Sequence, residues 1–573
     1  MSTEQAKPYY LTTPIYYVNG VPHLGSAYTT IVSDTLARAM RMDGRDTYFL
    51  TGLDEHGQKV AQAGANNGMS PQEWVDSIAP AFIDAWSALD VTYDDFIRTT
   101  EERHMRGVRK FFDILYQKGA IYQDVYRGYY CIPDETYFND EQLAEFAEAR
   151  LAAGLPSRDD EDMPLCPDCA RSLIYMEEEN YFFRLSDYAL PLLEYYEAHP
   201  QFIQPDYRRN EVLSFVRGGL KDLSVTRTAI DWGVPIPFAP GHVAYVWVDA
   251  LINYISALGF GSDDPADLVL YDKFWPAQVH LVAKDIIRFH CVIWPALLMA
   301  AELPLPKQVF VHGWMLTKSG EKMSKSLGNA MAPIPLAETF SVDGYRYFFL
   351  KDIQFGSDSA VSLQRILQVY NADLANSWGN LCSRVFNMTD RYLGGEVPEL
   401  WPKTVAALTK EMGNPLADMV EGLYDEYIEA IESMDFMAAF TAVLNLVDKA
   451  NLYLEQSSPW ALATAAADEA EAAKAAGISL EDASAPTVND RLAFVLYNSL
   501  EAIRVIALFY APVMPNTSAE VWRRLQLGDI NSVRDLKAKA KWGGLASGNK
   551  VTIGDPLFPR LSDDDIGLAD DED

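Results

Sequence analysis

The opening stretch of the chain constrains its fold most. Residues 9–18, Tyr-Tyr-Leu-Thr-Thr-Pro-Ile-Tyr-Tyr-Val, are β-branched and aromatic and predict a strand. Asn19-Gly20-Val21-Pro22 is turn chemistry. Tyr28, Ile31, Val32, Thr35, Leu36, Ala39 and Met40 then recur at helical spacing. Asp46–Leu53 predicts a second strand, which ends in Gly52-Leu53-Asp54-Glu55-His56-Gly57. Strand, turn, helix and strand in that order make a βαβ unit. It requires a parallel sheet, whose ligand sites lie at the carboxyl ends of its strands.

At 573 residues the chain exceeds one hydrophobic core, and roughly two to four domains are expected. The α/β pattern occupies residues 1–117 and resumes over 241–320. Between them, 118–240 carries short aromatic strands, an acidic helix and a Cys-x-x-Cys, and reads as an insertion. A loop and stem-contact region covers 321–370, a helical domain 371–542 and an acidic tail 543–573. The expected fold class is therefore α/β, a Rossmann-like domain with an inserted domain, followed by an α-helical domain.

No apolar stretch is long and uncharged enough for a membrane span, and the first residues lack a secretory pattern. Five cysteines with a single Cys-x-x-Cys do not form a disulfide framework, so a reducing, cytoplasmic setting is expected. The net charge of −34 does not exclude a nucleic-acid partner, because phosphate binding needs a local basic stripe and not a basic total. Much of the excess acidity falls in segments that read as peripheral, of which Arg158–Asp162 and the C-terminal tail are examples, and reads as solvated charge.

Two short segments carry nucleotide chemistry. In Pro22-His23-Leu24-Gly25-Ser26 a tight entry into the helix leaves room at Gly25 for a flat base, and His23 and Ser26 can donate to phosphate oxygens at the helix start. In Lys322-Met323-Ser324-Lys325-Ser326 a Gly- and Ser-flanked loop presents two ammonium groups suited to a triphosphate. Taken singly, each is a weak string: a capped turn with a surface histidine, or a solvated lysine loop.

Together, in this order and separated by a domain, the two segments resemble the signatures of class I aminoacyl-tRNA synthetases. The residues between them resemble the methionyl-tRNA synthetases in particular. Pro14-Ile15-Tyr16-Tyr17 matches that family's first strand, and Asp54 its acidic residue for the substrate amino group. Trp247–Tyr254 and Lys284–Trp294 match the walls of its amino-acid pocket. The resemblance implies that Ile15, Tyr17, Trp247, Ala250, Leu251, Tyr254, Ile286, His290 and Trp294 surround a methionine side chain. It also implies that His23, Gly25, Ser26, Lys322, Ser324 and Lys325 bind ATP, with His23, Ser26, Lys322 and Lys325 catalytic. A thioether packs well against aromatic rings, and Ile286, His290 and Trp294 at i, i+4 and i+8 would share one helix face. In the helical region, Asn380, Arg384 and Trp460 match the positions that read the anticodon.

The chain departs from the family pattern twice. Ser26 stands where histidine is common, which shifts transition-state charge onto His23 and the lysine loop. In the insertion, Cys131, Asp134, Cys166 and Cys169 replace paired Cys-x-x-Cys units. Three thiolates and a carboxylate form a four-ligand set for one structural Zn²⁺, and a metal-free knuckle held by packing is the alternative.

The implied reaction has two steps. Methionine carboxylate attacks the α-phosphorus of ATP, carried with Mg²⁺, to give methionyl-adenylate and pyrophosphate. The 2′-hydroxyl of the terminal adenosine of initiator or elongator tRNA(Met) then takes the methionine. The insertion is too short for the editing domain of the leucine, isoleucine and valine enzymes, and no dimerising barrel follows the helical domain. A monomer without membrane contact is expected. The competing readings are another class I synthetase of the leucine, isoleucine, valine and cysteine group, or a non-catalytic tRNA-binding relative.

Overall fold

The computed structural model describes residues 6–567, apart from 19, 133–134, 139, 319, 322–330 and 481–484. The predicted first strand is broken in two. β1 (Pro8–Thr12) and β2 (Tyr16–Tyr17) flank a kink at Thr13-Pro14-Ile15, because proline supplies no N–H for a ladder. The helix Leu24–Met42 follows, with all but three of its residues buried. It returns the chain to β3 (Asp46–Asp54), which pairs with both pieces in parallel: Tyr9 faces Thr47, and Tyr17 faces Asp54. β4 (Asp95–Arg98) adds to the other edge of β3.

The inserted segment builds an antiparallel sheet of its own. Its strands are β5 (Ile121–Cys131), β6 (Thr136–Phe138), β7 (Ile174–Phe183) and β9 (Leu223–Ser224), ordered β6-β5-β7-β9. One short piece inside 118–240 does not stay there. β8 (Ile203–Gln204) pairs in parallel with β13 (Val309–His312) at the edge of the main sheet, carried by the buried apolar cluster that includes Phe202 and Ile203. A two-residue run gives no periodicity to read, so sequence pattern could not place it. β10 (Thr226–Arg227) and β11 (Val243–Ala244) form a small antiparallel ladder at the exit.

β12 (Val279–Ala283) completes the main sheet between β1 and β13. The seven strands run parallel, and the connections leave β1 and β12 toward opposite edges. That reversal opens a crevice at the carboxyl ends of β1 and β12, the place where such sheets bind ligands. β14 (Met315–Leu316) and β15 (Ser359–Ala360) form a short parallel pair just before and after residues 321–358.

From Pro333 onward helices dominate the described chain as far as Lys539. Val488–Tyr510 is the one helix, among the described residues, long and apolar enough to cross a membrane, and it lies buried at the centre of the helical domain. The tail does not hang loose at its start. The buried carboxylate of Glu501 accepts from the backbone N–H groups of Gly543, Gly544 and Leu545, and Phe558 packs on the ring of Tyr370.

Candidate active site

The crevice begins at His23, which caps the helix Leu24–Met42. Its Nδ1 accepts from the N–H groups of Gly25 (3.0 Å) and Ser26 (3.3 Å). An accepting Nδ1 leaves the ring proton of the neutral imidazole on Nε2, the nitrogen that can donate to a phosphate. Gly25 has a structural role beside the one expected of it. A Cβ there would lie 3.0 Å from Cε1 of His23, so glycine makes room for the histidine ring. Ser26 departs from expectation. Its hydroxyl donates to the His23 carbonyl at 2.8 Å and accepts from the His23 N–H at 3.0 Å, closing a capping box. Its single proton is thus engaged, and Ser26 shapes the turn rather than donating to phosphate.

The first helix also touches the end of β13. His312 Nδ1 donates to the carbonyl of Gly313 (2.8 Å), so its Nε2 accepts from the Thr29 hydroxyl (2.8 Å). Burial keeps this ring neutral by lowering its pKa. Next along the chain, Lys284 Nζ lies 2.6 Å from Asp358 and 3.9 Å from the Trp314 ring centroid. The other Asp358 oxygen accepts from the Trp314 N–H at 2.9 Å. This clamp fixes the strand that leads into the lysine loop. Lys322, Ser324 and Lys325 lie outside the described residues.

At the carboxyl end of β3 stands Asp54, 4% exposed, with Oδ1 lacking any hydrogen-bond partner. Its carboxyl is held well above the usual range, first by burial, then by the charges of Asp249 and Glu135. A buried carboxylate oxygen among like charges calls for a cation. Ile15, Tyr17, Trp247, Leu251, Tyr254, Ile286 and Trp294 belong to or pack on one large apolar cluster, and Tyr17 faces Asp54 in the β2–β3 ladder. The Tyr254 ring lies 5.7 Å from His290 and 6.1 Å from Trp294, and its hydroxyl donates to His290 Nε2 at 2.6 Å. His290 Nδ1 donates to the Ile286 carbonyl, and burial lowers its pKa to about 4, so the ring is neutral. Ala250 is buried on the short helix Val246–Leu251, where its carbonyl accepts from Asn253.

The expected single helix face over 286–294 is not what forms. Lys284–Ile286 is a 3₁₀ turn, Phe289–Ile293 a π turn, and the α-helix starts only at Trp294. The π turn widens the backbone locally, and Phe289 stacks on Trp247 at 4.1 Å. His290 and Trp294 still meet the same Tyr254 ring across the interruption, and His290 Nδ1 reaches back to the Ile286 carbonyl.

Several residues that sequence reasoning passed over shape this site. Asp249 is fully buried between His56 Nδ1 (2.6 Å) and His104 Nε2 (2.8 Å). Burial works to raise its pKa, but the two imidazoles outweigh that and hold it near 2. An aspartate inside the apolar string Trp247–Tyr254 was the available signal. Glu135 arrives from the insertion, and its Oε1 accepts from the Tyr17 hydroxyl at 2.9 Å and from the Lys59 N–H at 2.8 Å.

Two further groups lie away from the crevice. Cys131, Cys166 and Cys169 bring their Sγ atoms within 4.8 Å of one another, and Cys131 and Cys169 are 3.6 Å apart. Zinc with bonds of about 2.3 Å in tetrahedral geometry sets sulfurs roughly 3.8 Å apart, so the thiols fit the ion. Asp134 lies outside the described residues. In the helical domain, Ser458 caps a helix that starts at Pro459, and Trp460 is 43% exposed beside it. The Arg384 guanidinium lies 6.0 Å from the Trp460 ring, and Asn380 is exposed one turn before Arg384.

A family profile described as "tRNA synthetases class I (M)" matches residues 9–386. The methionine–tRNA ligase of Thermotoga maritima is 43% identical over 97% of this chain and 81% of its own length. That of Halalkalibacterium halodurans is 41% identical over 98% and 79%. Among solved structures, Mycobacterium tuberculosis methionyl-tRNA synthetase in complex with methionyl-adenylate superposes with a TM-score of 0.83 at 37% identity, covering 97% of this chain and all of that one. The apo form of the same synthetase gives 0.79 at 33% identity.

Proposed function

The chain belongs to the class I methionyl-tRNA synthetases, and from that premise we propose which of its residues carry each part of the reaction. As a methionine–tRNA ligase it activates methionine with ATP to methionyl-adenylate and charges tRNA. The observation that carries the site reading is the unpartnered Oδ1 of Asp54, buried beside an aromatic lining at the carboxyl end of β3. The α-ammonium of methionine satisfies that oxygen, and its thioether packs among Ile15, Tyr17, Trp247, Ala250, Leu251, Tyr254, Ile286, His290 and Trp294. A neutral, tyrosine-bonded His290 keeps that wall uncharged.

ATP lies across the helix start, with Mg²⁺ neutralising part of its phosphate charge. His23 donates from Nε2, and Gly25 and Ser26 hold that ring by the cap. Lys322, Ser324 and Lys325 meet the same phosphates from the loop anchored by Lys284, Trp314 and Asp358. No protein nucleophile is needed, because the methionine carboxylate attacks the α-phosphorus directly. The protein contributes alignment and charge stabilisation on the five-coordinate phosphorus. Asn380, Arg384 and Trp460 form the anticodon contact of initiator and elongator tRNA(Met). An exposed indole offers a stacking face and the guanidinium a fork of donors.

One Zn²⁺ held by Cys131, Cys166 and Cys169 with Asp134 as fourth ligand would crosslink the insertion and take no part in the chemistry. The proposed division is 1–117, 118–240, 241–320, 321–370, 371–542 and 543–573, with β8 of the insertion lent to the main sheet, and the proposed working state is a cytoplasmic monomer. Incubation with ATP, unfractionated tRNA and each of the twenty amino acids tests the reading. Methionine alone is expected to become acid-precipitable with tRNA; charging with leucine, isoleucine or valine at comparable rates would overturn it.

A further inference from the structure

Glu135 belongs to the insertion and its N–H donates to the Ile132 carbonyl there, yet its carboxylate and its own carbonyl bond to the walls of the crevice. Its backbone carbonyl accepts from the Tyr245 hydroxyl at 2.6 Å, at the residue that opens the helix Val246–Leu251. Its Oε1 accepts from the Tyr17 hydroxyl on β2 and from the Lys59 N–H in the first turn of the helix Gln58–Asn66. Its Oε2 is buried without a partner and packs over Gly57, where a Cβ would meet it at 2.5 Å. Gly57 has φ +103°, so that position is shaped for glycine by both backbone and space. Glu135 itself sits at φ +48° and is 3% exposed, only four residues beyond Cys131 in the knuckle.

We propose that Glu135 is a positioning residue for methionine binding. It holds the Tyr17 ring and the Asp54–Gly57 turn in place from the insertion and so links the cysteine knuckle to the amino-acid pocket. Tyr17 faces Asp54 in the β2–β3 ladder, so a hydroxyl anchored by Glu135 fixes the ring that closes over the residue holding the ammonium. The four groups meeting at Glu135 come from β2, from the motif after β3, from the helix behind that motif and from Tyr245, which caps the helix Val246–Leu251. No other described residue of the insertion presents a carboxylate to Tyr17. The insertion thereby contributes to substrate recognition without touching substrate.

This inference rests on the pocket assignment above, and the experiment separates the two. Methionine-dependent exchange of labelled pyrophosphate into ATP is measured for the wild type and for Glu135→Ala, Glu135→Gln, Tyr17→Phe, the Glu135→Ala/Tyr17→Phe double variant and Asp54→Asn. Glu135→Ala is expected to raise KM for methionine about tenfold, the factor a single ordinary hydrogen bond is worth, with KM for ATP within about twofold. Glu135→Gln keeps the accepting oxygen and should recover most of that loss. Tyr17→Phe should reproduce the part of it that the Tyr17 bond carries, and the double variant should lose no more than Glu135→Ala alone, which already removes that bond together with the Lys59 contact. Equal losses toward methionine and ATP, a Gln variant as impaired as the Ala variant, or additive effects with Tyr17→Phe would each overturn the proposal while an impaired Asp54→Asn leaves the pocket assignment standing. An unaffected methionine KM in Asp54→Asn would bring down both.

Discussion

Asp249 shows how much of the site depends on single buried charges. It lies between two imidazoles with no exposure, and its folded pKa near 2 is below the usual value of 3.8. A depressed carboxylate contributes stability above its unfolded pKa and loses it as pH falls through the folded one, here between about 4 and about 2. Asp249→Asn is therefore expected to lower unfolding free energy at pH 7 by about 2–3 kcal/mol, a difference that shrinks toward zero as pH approaches 2. Chemical denaturation at a series of pH values checks this, and a pH-independent difference would contradict it. Asp54 runs the opposite way: its raised pKa means that ionising it costs stability as pH rises, until a cation arrives. Asp54 was visible in the sequence only through its match to the family's acidic residue for the substrate amino group. Asp249, His104 and Glu135 were hidden because their partners lie from 76 to 193 residues away.

At the scale of elements, the first helix and its cap were the most legible part of the chain. Local chemistry decides them: a helical period, a glycine and a proline-led turn within a few residues. What local chemistry could not tell was the direction of the bonds. Ser26 turns its hydroxyl inward to the cap, so Ser26→Ala should cost about 1 kcal/mol of stability and lower exchange less than tenfold. His23→Ala removes the donor to phosphate as well and should lower kcat about 100- to 1,000-fold with little change in KM for methionine. Equal kcat losses in the two variants would restore Ser26 as a phosphate donor. The π turn at Phe289–Ile293 was illegible for a related reason. Its apolar residues satisfy an α-helical period equally well, and only the packing of Phe289 on Trp247 and Tyr254 against His290 selects the wider turn.

Across the whole molecule, one buried arginine joins what the sequence divided. Arg346, on the helix Val342–Lys351, has no exposure and donates to Asp34 on the first helix and to the carbonyls of Leu89, Pro512 and Val513. It therefore ties the helix that starts at His23 to the end of the central helix Val488–Tyr510. Removing one partner of such a pair strands a buried charge, so Arg346→Ala is expected to cost about 3–5 kcal/mol. Loss of the junction should also split a single thermal transition into two, and calorimetry showing one unchanged transition would contradict that. The order of the domains was legible from changes in periodicity along the chain. The junction was not, since an arginine within an aromatic helix reads equally well as surface charge.

In the proposed pocket Asp54 holds the methionine ammonium while the helix start and the lysine loop hold ATP. Methionine-dependent pyrophosphate exchange, run on wild type and Asp54→Asn side by side, tests that claim most directly. The wild type should exchange with methionine and not with leucine, and Asp54→Asn should raise KM for methionine by about 10- to 150-fold, the range of a charge-assisted hydrogen bond. Exchange that is independent of methionine in the wild type, or undiminished in Asp54→Asn, would contradict it.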